Sequence, residues 1–444
     1  MEVYITDFGA KGDGRTKCHE AVQRAIDACC EAGGGVVRVP AGNFLCGTIF
    51  LKSHITLYLE SGSCLTGSLE PEDIFDFARN TDDPNEDIGW EGGCLICAFH
   101  EKDITIAGEG TIYGQGDKVF YDDGADGEYH ECPKNARLLD RPRTTFFEDV
   151  ENLTIRGITF RDAAFWTLHM AGCRHVVVDG IRILNDGRGV NNDGIDPDTC
   201  RDVVISNCII KTGDDAIVVK NSAPMAEKYG VCENVVIRGC VLYSHSSALK
   251  IGTETVKGIR YVLMSDCLIR GCSRGVGIWV RDGACIEHIH VHHITGDVRR
   301  YADCPGRDFA PRWWGKGEPI FISATPRREN EHPGSIRHIA FDHIDMEAES
   351  CIFIAGEAES PIHDVALEDL AIRIRPQGTQ ESGMFDEQPS VRALYPHAIP
   401  ALYARSVVDL RAGGSILREA PYTAWPKVVL TDCENAKIDL DICE

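Results

Sequence analysis

Short apolar stretches recur along most of this chain. Each opens on a polar residue, alternates through β-branched positions, breaks at a Gly or polar corner and resumes. Examples are Asn152-Leu-Thr-Ile-Arg-Gly-Ile-Thr-Phe, His175-Val-Val-Val-Asp-Gly-Ile-Arg-Ile, Asp202-Val-Val-Ile-Ser-Asn-Cys-Ile-Ile, Asn234-Val-Val-Ile-Arg-Gly-Cys-Val-Leu and Tyr261-Val-Leu-Met-Ser-Asp-Cys-Leu-Ile. Weaker copies start at Asp103, His288, His338 and Asp364. A period of two marks strands with one buried face. From Asn152 to His288 the starts fall 23 to 32 residues apart, a spacing at which one strand–corner–strand unit stacks on the next and buries a shared core. The prediction is an all-β chain: one parallel β-helix domain over residues 1–444.

Departures from the repeat mark the ends and the loops. Over Lys17–Ala32 the apolar residues Ala21, Val22, Ala25, Ile26, Ala28 and Cys29 follow helical spacing and stop at Gly33-Gly34-Gly35, which predicts an amphipathic helix. Residues 1–50 are therefore read as an N-terminal cap with the first strands. Residues 118–143 and 296–333 are read as loop insertions, and 377–444 as C-terminal coils and cap. Solenoid insertions project from one face, often the binding face.

Composition narrows the setting. The 444 residues are 43% hydrophobic, with 44 glycines, which suits a folded chain with a large core and many tight turns. A formal charge of −24 argues against nucleic acid or an anionic membrane as partner. No apolar leader follows Met1 and no apolar run approaches a membrane span. Among the 20 cysteines, Cys208, Cys240 and Cys267 occupy one repeat position, and Cys173, Cys200 and Cys232 precede such segments. That placement suits buried thiols stacked coil upon coil, hence a cytoplasmic protein, or a secreted one had a signal been removed. Cys94-Leu-Ile-Cys97 lies in an apolar strand without a second pair, which disfavours zinc or redox use.

Two acidic clusters stand about one repeat apart: Asn191-Asn192-Asp193-Gly194-Ile195-Asp196 and Gly213-Asp214-Asp215. On a stacked coil, Asp193, Asp214 and Asp215 would converge. Crowded carboxylates raise one another's pKa and hold one protonated near neutrality, the requirement for acid/base cleavage of a glycosidic bond. Asp196, just before Pro197, is read as a turn-shaping residue.

These motifs resemble glycoside hydrolase family 28, the polygalacturonase-like enzymes. The resemblance extends to Asp7-Phe8-Gly9-Ala10-Lys11-Gly12-Asp13-Gly14, Gly108-Glu-Gly-Thr-Ile-Tyr-Gly-Gln-Gly116, Arg141-Pro142-Arg143 and Phe165-Trp166-Thr167-Leu168-His169. It implies a right-handed, pectin-lyase-like solenoid and an inverting hydrolase without metal or cofactor. Asp214 is then the general acid, and Asp193 with Asp215 activates water, the acid and base standing about 6.5–9.5 Å apart. Asn192 stands where such enzymes usually carry Thr. Two further family motifs are absent. Ser247 takes the place of the histidine of Gly-His-Gly, and Gly277-Ile278-Trp279 replaces Arg-Ile-Lys, the basic residues that grip a galacturonate carboxylate.

Candidate substrate contacts follow from position. Asn191 and His169 flank the acids, and His245 is a substitute for the missing imidazole. Lys250 and Arg281 either meet the substrate or pair with the aspartates. Glu254 is a hydroxyl acceptor, Trp279 an aromatic face for sugar C–H surfaces, and Trp313 with Trp314 either a subsite wall or a loop anchor. His288, His290 and His292 alternate onto an outer wall beside His293, away from the acids, so they are not read as a metal box. The expected partner is an oligosaccharide or polysaccharide, cut from an end if the protein is cytoplasmic. Two rivals remain: a lyase or epimerase with Ca²⁺ held by the carboxylates and Lys250 abstracting a proton, or a carbohydrate-binding β-helix without turnover.

Overall fold

The computed structural model describes residues 1–77, 92–119, 121–122, 130–131, 141–301, 315–378 and 381–444. The chain is all-β, of the right-handed parallel β-helix class, and divides into two compact units: residues 1–214 with 227–229, and 215–226 with 230–444.

In the first unit one parallel ladder runs through Glu2–Tyr4, Gly35–Val39, Ile55–Leu59, Lys102–Gly108, Glu151–Arg156, Arg174–Asp179 and Arg201–Ser206. A second joins Gly42–Cys46, Ser63–Gly67, Thr111–Tyr113, Thr159–Arg161, Arg182–Leu184 and Ile209–Thr212. A third joins Cys94–Phe99, Arg143–Glu148, Phe165–Ala171 and Ile195–Asp198. Like stacks on like: Leu153 pairs with Val176 and Val176 with Val203, all fully buried. Each such side chain contributes about 1.5–3 kcal/mol. A slip of one residue would turn the whole set outward.

The repeat starts seen in the sequence are the corners. Asp103, Asn152, His175 and Asp202 all have φ between 54° and 61°. Asn, Asp and His are the non-glycine residues best tolerated in that left-handed region, so the polar residue that opens each repeat is a conformational requirement.

The predicted cap is present as helix His19–Glu31, burying Ala21, Val22, Ala25, Ile26 and Cys29. It starts two residues later than the spacing suggests because Asp13–Lys17 is a strand. Gly33 and Gly34, at φ 90° and 115°, end it.

The second unit repeats the plan. One ladder links Cys232–Arg238, Ile259–Cys272, Cys285–Val298, Ser335–Ala348, Ile362–Ile374, Val407–Arg418 and Lys437–Cys443. The other links Ile217–Asn221, Ser247–Thr255, Arg274–Val280, Glu318–Ala324, Ile352–Ala355, Leu402–Arg405 and Val428–Thr431. Corners again fall at Asn234, Tyr261, His288, His338 and Asp364. One expectation is corrected here. The 296–333 insertion is shorter, because Glu318–Ala324 is a ladder strand. The C-terminal segment also carries a final strand, Lys437–Cys443, that the repeat pattern missed. Much of the 118–143 segment lies outside the described residues.

The described cysteines are thiols, and those at the repeat positions are buried. Cys97 is fully buried, and burial pushes its thiol well up, with Cys94 adding to the effect; that opposes the thiolate that metal or redox chemistry needs. Of the three histidines expected on the outer wall, His288 and His290 are exposed, whereas His292 is half-buried; His293 is exposed. His288 stacks between Tyr261 and His338.

Candidate active site

In the first unit the turn 191–194 precedes strand Ile195–Asp198, and Gly213-Asp214 follows strand Ile209–Thr212. One carboxylate oxygen of Asp193 and one of Asp214 lie within 4.8 Å of each other. Asp193 is buried and Asp214 half-buried.

Asn192, fully buried, sets this spacing. Its Oδ1 accepts the backbone N–H of Gly213 at 2.7 Å and of Asp214 at 3.1 Å. Its Nδ2 donates to the Asp186 carbonyl at 2.8 Å. Asn185 braces it in turn, donating through Nδ2 to the Asn192 carbonyl and to Thr167 Oγ1, both at 2.9 Å. Threonine at 192 has no second arm for this double bracket. Gly213 is needed because a Cβ there would stand 2.3 Å from the Gly189 carbonyl oxygen.

Behind the turn lies a buried polar layer. His169 is fully buried, with Nε2 3.8 Å from Asp198 Oδ2, and its ring meets Phe146 and Trp166 edge-on at 4.9 Å. Its expected role as a substrate contact is corrected, since no part of it reaches solvent. Asp196, fully buried in its strand, sits in register with His169. Arg143, also buried, is pushed down to about 10 by its burial, against the pull of Cys94 and Asp196. Asn191 is half-buried with φ 54°.

The second unit opens with Asp215, the next residue along the chain and fully buried. Its Oδ1 accepts Ser246 Oγ at 2.8 Å and the Ser247 N–H at 3.0 Å, and its Oδ2 accepts Lys250 Nζ at 2.7 Å. Burial pushes this carboxyl up, but Lys250, Ser246 and Lys220 outweigh it and hold it below the usual range. Lys220 Nζ lies 3.5 Å from Glu254. Burial raises Glu254, yet Lys220 and Lys250 bring it down to about 2. Half-buried His245 stacks on Tyr301 at 4.0 Å.

Two expected substrate contacts are corrected here. Trp279 is 2% exposed and tilts onto Phe321 at 5.0 Å. A Cβ on Gly277 would meet its ring at 2.1 Å, so the indole fills the space that a side chain at 277 would need. Arg281 is fully buried. Its Nε donates to the Pro389 carbonyl, and Nη1 and Nη2 donate to the Ser323 and Glu387 carbonyls, at 2.9–3.1 Å. It therefore ties down the segment around Glu387 and is walled off from solvent. Trp313 and Trp314 lie outside the described residues.

Sequence reasoning missed Asn185, Lys220 and the two serines on Asp215. The available signals were the Asn192 departure itself and a lysine ending the apolar run Ala216-Ile-Val-Val-Lys220.

The sequence profile of the glycosyl hydrolases family 28 matches residues 29–297. A probable polygalacturonase of Vitis vinifera is 30% identical over 237 residues, covering 51% of this chain and 45% of that protein. An exo-poly-alpha-D-galacturonosidase of Dickeya chrysanthemi is 28% identical over 259 residues, covering 48% and 41%. The chain thus spans about half the length of the curated relatives it matches. The crystal structure of a hyperthermoactive exopolygalacturonase from Thermotoga maritima superposes with a TM-score of 0.67 at 21% identity, covering 99% of this chain and 92% of that one; at that identity the likeness concerns the fold.

Proposed function

The chain belongs to the glycosyl hydrolases family 28, and from that membership we propose that it hydrolyses a glycosidic bond in a pectin-related oligosaccharide, releasing sugar from a chain end. The observation that carries this reading is the Asp193–Asp214 pair held by the Asn192 bracket. Asp214, the more exposed of the two, gives its proton to the leaving oxygen as the C–O bond breaks. Water, losing its proton to Asp193 with Asp215, forms the new bond to the anomeric carbon. The exo-acting relatives support end-wise action, and the buried thiols support a cytoplasmic location.

Inversion is proposed on the family resemblance. The lyase or epimerase reading is disfavoured because Lys250, its proton-abstracting base, is committed to Asp215.

The test is release of reducing ends from oligogalacturonides and neutral oligosaccharides, with proton NMR of the first-formed anomer. Wild type is expected to release the inverted anomer, and Asp214→Asn to lose about 10³-fold in kcat. Retained activity in that variant overturns the assignment, and first-formed retained anomer selects double displacement.

A further inference from the structure

Three departures from the family pattern, at 247, 277 and 279, lie in one unit and bear on one another. Gly277 leaves the space that the Trp279 indole fills. The Lys250 ammonium stands 5.8 Å from the centre of that ring, a distance at which the aromatic face still attracts a cation. It also donates to Asp215 Oδ2 at 2.7 Å, with the lysine side chain 16% exposed and the carboxylate wholly buried. The Ser246 hydroxyl and the Ser247 N–H donate to the other oxygen. Lys250 itself projects from the middle of strand Ser247–Thr255, in register with Gly277. The ammonium is therefore fixed between an indole and a carboxylate by the strand backbone.

We propose that Lys250 is the positioning residue for Asp215, supplying a fixed positive charge at this centre, where Ser247 stands at the family's histidine position and Arg-Ile-Lys is absent. The proposal rests on the reading of Asp215 as part of the water-activating pair. An ammonium at hydrogen-bond distance favours the ionised carboxylate. Other groups of this unit that bear on Asp215 include Lys220, which has Glu254 as its partner, and the Cys272 thiol, whose own rise is due mainly to burial and in small part to Asp215. Asp214 precedes it in the chain. Lys220 pulls in the same direction as Lys250 but less strongly. Without the Lys250 charge, burial dominates and the carboxyl rises, so the base stays protonated to higher pH.

Lys250→Gln removes the charge while keeping an amide donor toward Asp215; Lys250→Arg keeps the charge. The readout is kcat and KM against pH on whichever oligosaccharide wild type cleaves, with near-ultraviolet circular dichroism as the folding check. Lys250→Gln is expected to lower kcat about 10²-fold, leave KM within about twofold, and move the acid limb upward by about one pH unit or more. Lys250→Arg is expected to return that limb toward wild type. An unmoved limb in folded Lys250→Gln, or a rise in KM alone, overturns the proposal: the first outcome makes the pair structural and the second makes Lys250 a substrate contact. A limb displaced equally in Lys250→Arg overturns it as well. Failure of the wider reading shows up separately, as an Asp214→Asn enzyme that remains active.

Discussion

Asp214 and Asp215 are bonded neighbours of one chemical type, and the two units hold them by different means. In the first unit Asp214 is half-buried and its peptide is fixed by the neutral carboxamide of Asn192. In the second, Asp215 is fully buried and gripped by an ammonium. A neutral bracket sets position without biasing charge, whereas a cation sets position and ionisation together.

The sharpest way to break the comparison is to neutralise each aspartate and measure stability along with activity. Asp215→Asn leaves the Lys250 ammonium facing a neutral amide in a nearly closed site, and is expected to cost about 3–5 kcal/mol in urea denaturation. Asp214→Asn is expected to cost about 1 kcal/mol or less while losing its activity. Equal losses would mean that burial and the lysine do not distinguish the two.

The neutral bracket is tested by Asn192→Ala, which strips the partner from two backbone N–H groups. A stability loss of about 1–3 kcal/mol is expected, with a lower kcat and an unmoved acid limb. A shifted limb would show that Asn192 also sets charge. The smallest effect is expected at the outer wall. His290→Ala removes an exposed ring tilted onto His292 at 4.9 Å, and is expected to stay within ~0.5 kcal/mol with unchanged kcat.

Much of this was legible in the linear chain because it depends on short-range rules. Asn152, His175 and Asp202 mark corners because a left-handed φ selects such residues. Val176 and Val203 mark walls because alternation selects one face. Ala21 to Cys29 mark a helix by their spacing. Trp279, Arg281 and His169 were misread for a common reason: an aromatic or basic residue near an acidic motif has the same spacing whether it faces solvent or the core. Asn192 could be recognised as a departure, but not as a bracket.

The order of side chains along the chain therefore determined the coils, their period and the acidic turns, since each is decided by dihedral preference and burial within a few residues. The tertiary structure decided which polar groups meet. Lys250 reaches Asp215, and Arg281 reaches Glu387, across 35 and 106 residues of chain. Whether a cation contacts a substrate, a carboxylate or a buried loop depends on which strand lies beside it, and only the stacking of coils settles that.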